Sequence, residues 1–368
     1  MKKLLLLLAT SFLAQQASAQ SYNLLIGTYT NKTTSEGIYT YDFSSKTADA
    51  KLKSIAKNVA NPSFLTLSDD KQYVYSVNET GESSTVSAFD FDSRSGKLNF
   101  LNKMQSQGAD PCYIIANGKN VIVANYSGGS IAVFATEGNG QLYNAKQVIK
   151  HTGKSIDPLK RQESAHVHQV LLTPDKKYLI SNDLGEDKIY LYNYEERSKS
   201  LTLTPKTIIN TKAGAGPRHL TFSPNGKFAY LAHEFDGIVS VFSYKDGTLT
   251  KIQDIGTTAK EFKGKIDGAD IHISGDGKFL YETNRGDANT ISTFRVLQDG
   301  KLELAEITST LGKGPRNFAI DPSGKFLLVA HQYTNNVVIF NRDSATGKLT
   351  DSGKRIEVAA PVCLVFTK

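Results

Sequence analysis

The chain has 368 residues, a formal net charge of +7, two cysteines and no tryptophan. Its lysines lie mostly in turn-like contexts such as GKL and GKF, and the lack of a basic run with interleaved aromatic residues argues against nucleic-acid binding. Beyond the N-terminus no stretch approaches the roughly 18 apolar residues of a membrane span. The composition therefore leaves a globular protein whose partner is neither a nucleic acid nor a bilayer.

Residues 1–19 have the pattern of a signal peptide. Lys2 and Lys3 precede an apolar run, and Ala17-Ser18-Ala19 supplies the small residues that signal peptidase requires. The residue directly after this site is not a cysteine, so we expect no lipid anchor. The sequence predicts an exported, periplasmic protein that consists of one domain, residues 20–368.

An internal repeat dominates the rest of the chain. The phrase GPRHLTFSPNGKFAYLAHE at 216–234 returns as GPRNFAIDPSGKFLLVAHQ at 314–332. With weaker copies included, the repeat recurs roughly every 50 residues, which is the signature of an array or a propeller. The weaker copies begin at Asn61, Asp110, His166 and Ala269.

Each repeat contains four short runs rich in β-branched and aromatic residues. In the copy that begins at 216 these runs are RHLTFS, FAYLAH, IVSVFSY and LTKIQDI, joined by the turns PNGK, EFDG and KDGT. Runs of this length with such turns are typical of β-strands, and four strands per repeat are typical of a propeller blade. Beyond the leader, no segment has a sustained helical period.

The two ends of the chain supply a further blade. NLLIGTYT and GIYTYDF, near the N-terminus, resemble second and third strands without a first, and the C-terminal PVCLVFTK resembles a first strand alone. Together with six full copies they predict an all-β, seven-bladed propeller in which N- and C-terminal strands share one blade. Such closure removes open sheet edges. Cys112 and Cys363 fall on blades that are not neighbours, so two buried, unpaired thiols are favoured over a disulfide.

Hairpin geometry predicts a functional mouth. The first two strands of a blade form a hairpin, so Arg218 and His219 at the start of one strand should lie at the same rim as His233 and Glu234 at the end of the next. Ordinary solvated strand ends, copied by the repeat, are the alternative. Six of the seven histidines and three arginines fall at or near such ends, which favours function. The other blades contribute His166, His168, Asp270, His272, Arg285, Arg316 and His331.

His166 and His168 are two residues apart on a predicted strand, so both face the same side. They could ligate a metal, accept hydrogen bonds from the backbone, or act on a substrate. Zinc would need a third protein ligand, and neither an HExxH motif nor a cysteine cluster provides one, so we expect no metal and no cofactor. The polar segment HTGKSIDPLKRQESA at 151–165 precedes the pair and is interpreted either as a lid over the mouth or as a disordered loop.

The arginines indicate the charge of the substrate. Guanidinium groups suit carboxylates and phosphates, so Arg218, Arg285 and Arg316 near one rim predict a small anionic substrate. We expect at least one of them to pair instead with a carboxylate, the candidates being Asp183, Glu234 and Asp270.

Six phrases resemble the seven-bladed lactonase family, which includes 6-phosphogluconolactonases and carboxymuconate-lactonizing enzymes. They occur in family order over essentially the whole mature chain: VANYSGGS (123–130), HVH (166–168), DLGEDKIYLY (183–192), GPRH (216–219), YETNRGD (281–287) and GPRNFAIDPSG (314–324). The resemblance implies a catalytic or binding set of His166 or His168, Arg218, Glu234 and Arg285. The leader departs from the family pattern, because a phosphorylated sugar lactone is a cytoplasmic metabolite.

The sequence thus predicts a monomeric lactone hydrolase. Arg218 or Arg285 would polarise the lactone carbonyl, and His168 or Glu234 would take a proton from water. Two alternatives remain open: a lactonizing enzyme that acts on an unsaturated dicarboxylate, and a non-catalytic propeller that binds a protein or glycan. The residues predicted to contact substrate are His219, His233, Asp270, His272, Arg316 and His331.

Overall fold

A computed structural model describes residues 21–156 and 159–368. Within these residues, 28 strands form seven four-stranded antiparallel sheets, accompanied by a single 3₁₀ turn at Gly81–Ser83. The predicted signal peptide lies outside the described residues. The seven-bladed propeller predicted from the repeat is therefore confirmed.

The strands are numbered in chain order and the blades from the N-terminus. Blade 1 contains β1 (Ser21–Thr28), β2 (Gly37–Ser44), β3 (Ala50–Lys57) and β28 (Pro361–Thr367). Blade 2 contains β4 (Leu65–Leu67), β5 (Tyr73–Asn78), β6 (Thr85–Asp92) and β7 (Lys97–Gln105). Blade 3 contains β8 (Pro111–Asn117), β9 (Asn120–Asn125), β10 (Ser130–Thr136) and β11 (Leu142–Lys150). Blade 4 contains β12 (Val167–Leu172), β13 (Tyr178–Asp183), β14 (Lys188–Tyr194) and β15 (Leu203–Asn210).

The remaining blades follow the same order. Blade 5 contains β16 (Pro217–Phe222), β17 (Phe228–His233), β18 (Ile238–Lys245) and β19 (Thr248–Gly256). Blade 6 contains β20 (Gly268–Ile273), β21 (Phe279–Asn284), β22 (Thr290–Val296) and β23 (Leu302–Ser309). Blade 7 contains β24 (Pro315–Ile320), β25 (Phe326–His331), β26 (Asn336–Arg342) and β27 (Leu349–Glu357).

Blade 1 closes the ring in the predicted way. Its strand order is β28-β1-β2-β3, so the C-terminal strand provides the innermost position and the N-terminal strands provide the other three. Leu25 pairs with Val365 in this antiparallel ladder. Both cysteines are buried and unpaired, which also agrees with the prediction. Within the described ranges, no helix has the length and apolar character that crossing a membrane requires.

The apolar core lies in layers between neighbouring blades. All residues of β9 and β25 are buried, because each of these second strands is covered on both faces by adjacent blades. The outer strand β7 alternates between exposed and partly buried residues. One layer packs Tyr75 and Val86 of blade 2 against Ile114 and Val123 of blade 3. This packing holds each blade in place through its neighbours.

The first strand of every blade lines the central channel, and side chains join successive strands around it. Gln169 Oε1 accepts the N–H of Leu220 at 2.7 Å. Asn317 Oδ1 accepts the N–H of Leu364 at 2.7 Å, and Asp270 Oδ2 accepts that of Phe318. Because these bonds cross from blade to blade, the inner strands have fixed relative positions. The channel rim is therefore a rigid support for side chains.

Candidate active site

In blades 4, 5 and 7, a β-bulge aims one side chain of the inner strand at the rim. Gly216 has a positive φ of 67°, which glycine adopts without strain, and Pro217 fixes the next φ. The register of β16 then shifts between Pro217 and His219, so Arg218 lies outside the ladder. Bulges commonly redirect a side chain beside an active site. The equivalent shifts in β12 and β24 involve His168 and Arg316.

The ends of the second strands meet these bulges, as hairpin geometry predicts. The N–H of Glu234, one residue beyond β17, donates to Gly216 O at 2.7 Å. In blade 6 the N–H of Arg285 donates to Asp267 O at 2.9 Å. The residue after each second strand thus lies beside the start of the first strand. Glu234 and Arg285 are brought to the same rim as Arg218.

Glu234 is the centre of an arginine cluster. Its Oε2 accepts from Arg218 Nε at 3.0 Å and lies 3.0 Å from Arg285 Nη2. Arg218 Nη1 also donates to Ala269 O at 2.6 Å, and Arg285 Nη2 donates to Asp267 Oδ1 at 2.9 Å. Both guanidinium groups are thereby fixed in orientation. The expected pairing of an arginine with a carboxylate is confirmed, and two arginines share one carboxylate.

Burial and charge shift the pKa values of this cluster. Burial by itself would raise the pKa of Glu234, but the guanidiniums of Arg285, Arg218 and the further Arg161 lower it to about 2. Burial and the charge of Arg285 lower the pKa of Arg218 to about 10. Glu234 and Arg218 are therefore both ionised at neutral pH. Because guanidiniums contact both of its oxygens, Glu234 is held as a partner of the arginines and has no oxygen left free to accept a proton.

Tyr126 connects the histidine pair to the cluster. Its ring stacks on His166 at a centroid distance of 4.4 Å and meets the edge of His168 at 5.6 Å. His166 Nδ1 lies 3.1 Å from Tyr126 O, whereas His168 Nδ1 is buried and has no partner among the described residues. Burial and the charge of Arg218 hold the pKa of His168 well below its usual range. His168 is therefore a neutral imidazole beside fixed cations.

Arg161 was not predicted from the sequence. It lies in the polar segment before β12, and its Nη2 donates to Glu234 Oε1 and to Tyr126 Oη, both at 2.9 Å. Its guanidinium also covers the ring of Phe235 at 5.3 Å. The polarity and length of this segment are the sequence features that point to the mouth, because they are the basis for interpreting it as a lid. The particular residue that reaches the mouth could not be identified because its partners are on blades 3 and 5.

Arg316 is at the mouth but has a different environment. Its guanidinium lies over the ring of Tyr29 at 5.5 Å, and Tyr29 Oη donates to Glu79 Oε2 at 2.8 Å. No carboxylate of the described residues lies within ion-pair distance of Arg316. Although burial would lower it, the nearby Tyr29 and Glu79 raise the pKa of Arg316. The arginine is thus a permanent cation that no partner neutralises directly.

His219, Asp270 and His272 form a second layer, displaced along the channel from the arginine cluster. Asp270 Oδ1 lies 2.8 Å from His219 Nδ1, and Asp270 Oδ2 lies 2.9 Å from His272 Nε2. The ring of His219 meets that of His168 at 5.1 Å, and its Nε2 is buried without a partner among the described residues. Burial, followed by the charge of Arg218, lowers the pKa of His219 to about 4. These three residues therefore form a group of their own, which adjoins the mouth through the contact between His219 and His168.

The far end of the inner strands opens into a cavity of about 320 Å³. Asp270 and His272 line it, together with Tyr113 and Gln169. This cavity begins where the second layer ends, on the side away from the arginine cluster. His272 consequently faces a different opening from Arg218.

His233 and His331 are not brought to the mouth, contrary to the prediction. His233 Nε2 lies 2.9 Å from Ser240 Oγ on β18, within its own blade. His331 is completely buried and packs against Gly312. Successive side chains of an extended strand face opposite sides, so His233 and the adjacent Glu234 cannot both face the channel. Each strand end delivers one residue of the two.

Among the described residues, the group with metal-like spacing is His151, Asp183 and Glu186 rather than the HVH pair. His151 Nδ1 lies 2.6 Å from Asp183 Oδ2, and its Nε2 lies 2.8 Å from Tyr192 Oη. Glu186 Oε2 accepts from Lys188 Nζ at 2.6 Å. Because protein groups already occupy these ligand atoms, the cluster is suited to hold the start of the segment that carries Arg161.

The comparison with known proteins agrees with the fold and with the family that the motifs resemble. A family model described as "Lactonase, 7-bladed beta-propeller" matches residues 23–366. The 6-phosphogluconolactonase of Formosa agariphila is 37% identical over 333 residues, which cover 89% of this chain and 94% of that protein. The fold and its matched range define a seven-bladed propeller of the lactonase type.

Two solved structures are also similar. The periplasmic gluconolactonase of Pseudomonas aeruginosa has 36% identity and a TM-score of 0.90, and the match covers 95% of this chain and 99% of that one. A Bacteroides fragilis protein that carries the 6-phosphogluconolactonase name has 44% identity and a TM-score of 0.91, with 96% and 99% covered. The chain belongs to the seven-bladed β-propeller lactonase family, as its motifs predicted.

Proposed function

We propose that the protein hydrolyses a sugar-acid lactone. Its relatives carry the names 6-phosphogluconolactonase and gluconolactonase, which support this proposal. The observation that carries this proposal is the position of a neutral imidazole, His168, beside the two guanidiniums that Glu234 holds. Hydrolysis of a lactone needs a base for water and a positive group for the developing oxyanion. In this proposal His168 is the base, and a guanidinium is the positive group.

The roles follow from the hydrogen bonds already made. Arg218 uses Nε and Nη1 within the protein, and Arg285 uses Nε and Nη2. The remaining amino group of each can donate to the lactone carbonyl. Water attacks that carbonyl carbon while His168 takes its proton, and the oxyanion is stabilised by a guanidinium. The ring oxygen then leaves with the proton from His168, giving a hydroxy acid.

The other residues have supporting roles in this proposal. Glu234 orients the two arginines, because its Oε2 contacts both of them. His219 and Asp270 support the ring of His168 from the second layer. Arg316 binds an anionic group of the substrate, and His166 contacts the substrate at the entrance. We assign no substrate contact to His233, His331 or His272.

The cellular location is part of the same proposal. The leader pattern at residues 1–19 indicates export, and the P. aeruginosa relative is named as periplasmic. We therefore propose that the protein acts as a monomer in the periplasm on an externally derived or exported sugar lactone.

Activity assays test the function directly. The purified protein is assayed with glucono-δ-lactone and 6-phosphoglucono-δ-lactone, with uncatalysed opening subtracted. His168→Ala should lower kcat by about 10²–10⁴, and Arg218→Ala should lower it by about 10²–10³. Arg295→Ala serves as a control because Arg295 is an exposed residue of β22 paired with Glu303.

Two outcomes would contradict the proposal. If the wild-type protein opens no lactone faster than buffer, the mouth is a binding site rather than a catalytic one. If both variants keep wild-type rates, catalysis occurs elsewhere.

A further inference from the structure

Arg161 differs in origin from the rest of the mouth. Glu234, Arg218 and Arg285 come from strand ends, but Arg161 comes from the connection between β11 and β12. The next residue, Gln162, is buried, and its Nε2 donates to Leu184 O at 2.7 Å. This anchor holds the backbone beside Arg161 against blade 4. The guanidinium therefore reaches the mouth from a defined position.

Arg161 is the outermost cation of the cluster. Its side chain is 41% exposed, whereas that of Arg218 is 2% exposed and that of Arg285 is 8% exposed. Arg161 contacts Oε1 of Glu234, while the two buried arginines contact Oε2. A molecule that enters from solvent meets Arg161 before it meets the buried pair. An incoming anion would thus compete with Glu234 for this guanidinium.

The charges at the mouth favour an anion. The positive groups are Arg161, Arg218, Arg285 and Arg316, and the carboxylates beside them are Glu79, Glu234 and Asp267. Among these seven groups the arginines outnumber the carboxylates by one, and Arg161 is the most exposed of the three arginines that contact Glu234. Guanidinium groups form strong, directional hydrogen bonds to carboxylate and phosphate oxygens.

We propose that Arg161 binds an anionic substituent of the substrate and makes the enzyme selective for charged lactones over neutral ones. The substituent replaces Glu234 Oε1 as the hydrogen-bond acceptor of Arg161. The contacts of Arg218 and Arg285 with Glu234 Oε2 remain. This inference rests on the proposed lactonase function, to which it adds a residue that determines specificity. The substituent is an anionic oxygen group, either a phosphate ester or a carboxylate.

The experiment compares three lactones and four proteins. The lactones are glucono-δ-lactone, which is neutral, 6-phosphoglucono-δ-lactone, which carries a phosphate, and glucaro-lactone, which carries a carboxylate. The proteins are the wild type, Arg161→Gln, Arg161→Lys and Lys160→Gln. Lys160 is the matched control, because it is the exposed neighbour of Arg161 in the same segment.

Arg161→Gln should raise KM for the charged lactone about 10- to 100-fold, since a hydrogen bond to a charged group is lost. Its kcat, and both constants for the neutral lactone, should stay within about twofold to threefold. Arg161→Lys should give an intermediate KM because it keeps the charge but loses the planar fork. Lys160→Gln should match the wild type. Whichever charged lactone shows the effect identifies the substituent.

A binding measurement separates this inference from the proposed function. Calorimetric titration with 6-phosphogluconate should show tighter binding to the wild type than to Arg161→Gln, even if no lactone is hydrolysed. An equal loss with charged and neutral lactones would mean that Arg161 only supports the fold of the mouth. An unchanged KM together with unchanged 6-phosphogluconate binding would also overturn the proposal. The thermal midpoint of each variant shows whether it is folded, and Arg161→Lys provides the test if Arg161→Gln is not.

Discussion

Blades 5 and 7 have the same scaffold but different chemistry at the rim. Both begin with Gly-Pro-Arg and shift register at the arginine. Arg218 in blade 5 is buried and paired with Glu234, whereas Arg316 in blade 7 lies over Tyr29 without a carboxylate partner among the described residues. The residue that follows the second strand is glutamate in blade 5 and glutamine in blade 7.

The difference shows how the single residue after the second strand determines whether the arginine of the blade has a carboxylate partner. The bulge delivers an arginine in both blades, so the arginine's position follows from the repeat. The carboxylate of Glu234 then holds Arg218 and Arg285 in fixed orientations. In blade 7 the neutral Gln332 leaves the charge of Arg316 available for a ligand. In the proposed mechanism, blade 5 holds its arginine for catalysis and blade 7 keeps its arginine for binding.

Among the changes that test the contrast between blades 5 and 7, the largest effect is expected from Glu234→Gln, which gives blade 5 the residue of blade 7. Two buried guanidiniums would lose their shared counter-charge, so kcat/KM should fall about 100-fold or more. Breaking a buried ion pair also costs about 3 to 5 kcal/mol of unfolding free energy. Steady-state kinetics and urea denaturation measure the two effects. Wild-type activity in this variant would show that Glu234 does not orient the arginines.

Arg316→Gln should give the next largest effect, and of a different kind. Because Arg316 is proposed to bind the anionic group, its loss should raise KM for a charged lactone about 10- to 100-fold and leave kcat within a fewfold. Arg218→Gln, its counterpart in blade 5, should instead lower kcat. Kinetics on the two variants side by side check the contrast. The distinction between blades fails if both variants change the same constant.

Gln332→Glu makes the reciprocal change. A carboxylate at 332 would occupy the position that Glu234 has in blade 5 and would pair with Arg316. We expect KM for a charged lactone to rise about tenfold through competition for the guanidinium, with an unchanged kcat. A fall in KM would mean that Arg316 binds substrate better when it is held by a carboxylate.

The smallest expected effect is the change of kcat/KM with pH, which depends on His168, the bulge residue of blade 4. Burial and Arg218 lower the pKa of this imidazole, so it stays unprotonated when a free histidine would be half charged near pH 6.5. The proposed base is thus active above its lowered pKa and is lost only as the pH falls through it. We expect kcat/KM to change little between pH 7.5 and 6. A half-maximal rate near pH 6.5, after correction for spontaneous opening, would contradict this assignment.

The same sign applies to stability in acid. The folded pKa of Glu234, about 2, lies below its ordinary value of 4.5, so its stabilising contribution is complete above about pH 4.5 and is lost as the pH falls towards 2. Glu234→Gln should therefore show a smaller loss of unfolding free energy between pH 5 and 3 than the wild type. Parallel acid dependence in both proteins would assign the loss to other groups.

The sequence by itself determined the ring, its closure by both chain ends, and the arrival of Arg218, Glu234, Arg285, His166 and His168 at one mouth. These features are local or periodic: alternation makes strands, turn residues make hairpins, and a repeated hairpin places the same two ends at the same rim.

Only the tertiary structure decided which groups pair. Arg161 reaches Glu234 across two blades, Asp270 joins His219 in a second layer, and the side chain of His233 turns into its own blade. The physical reason is that strand alternation and contacts between blades select each side chain's partner, and a linear pattern of residue types contains no distances between blades.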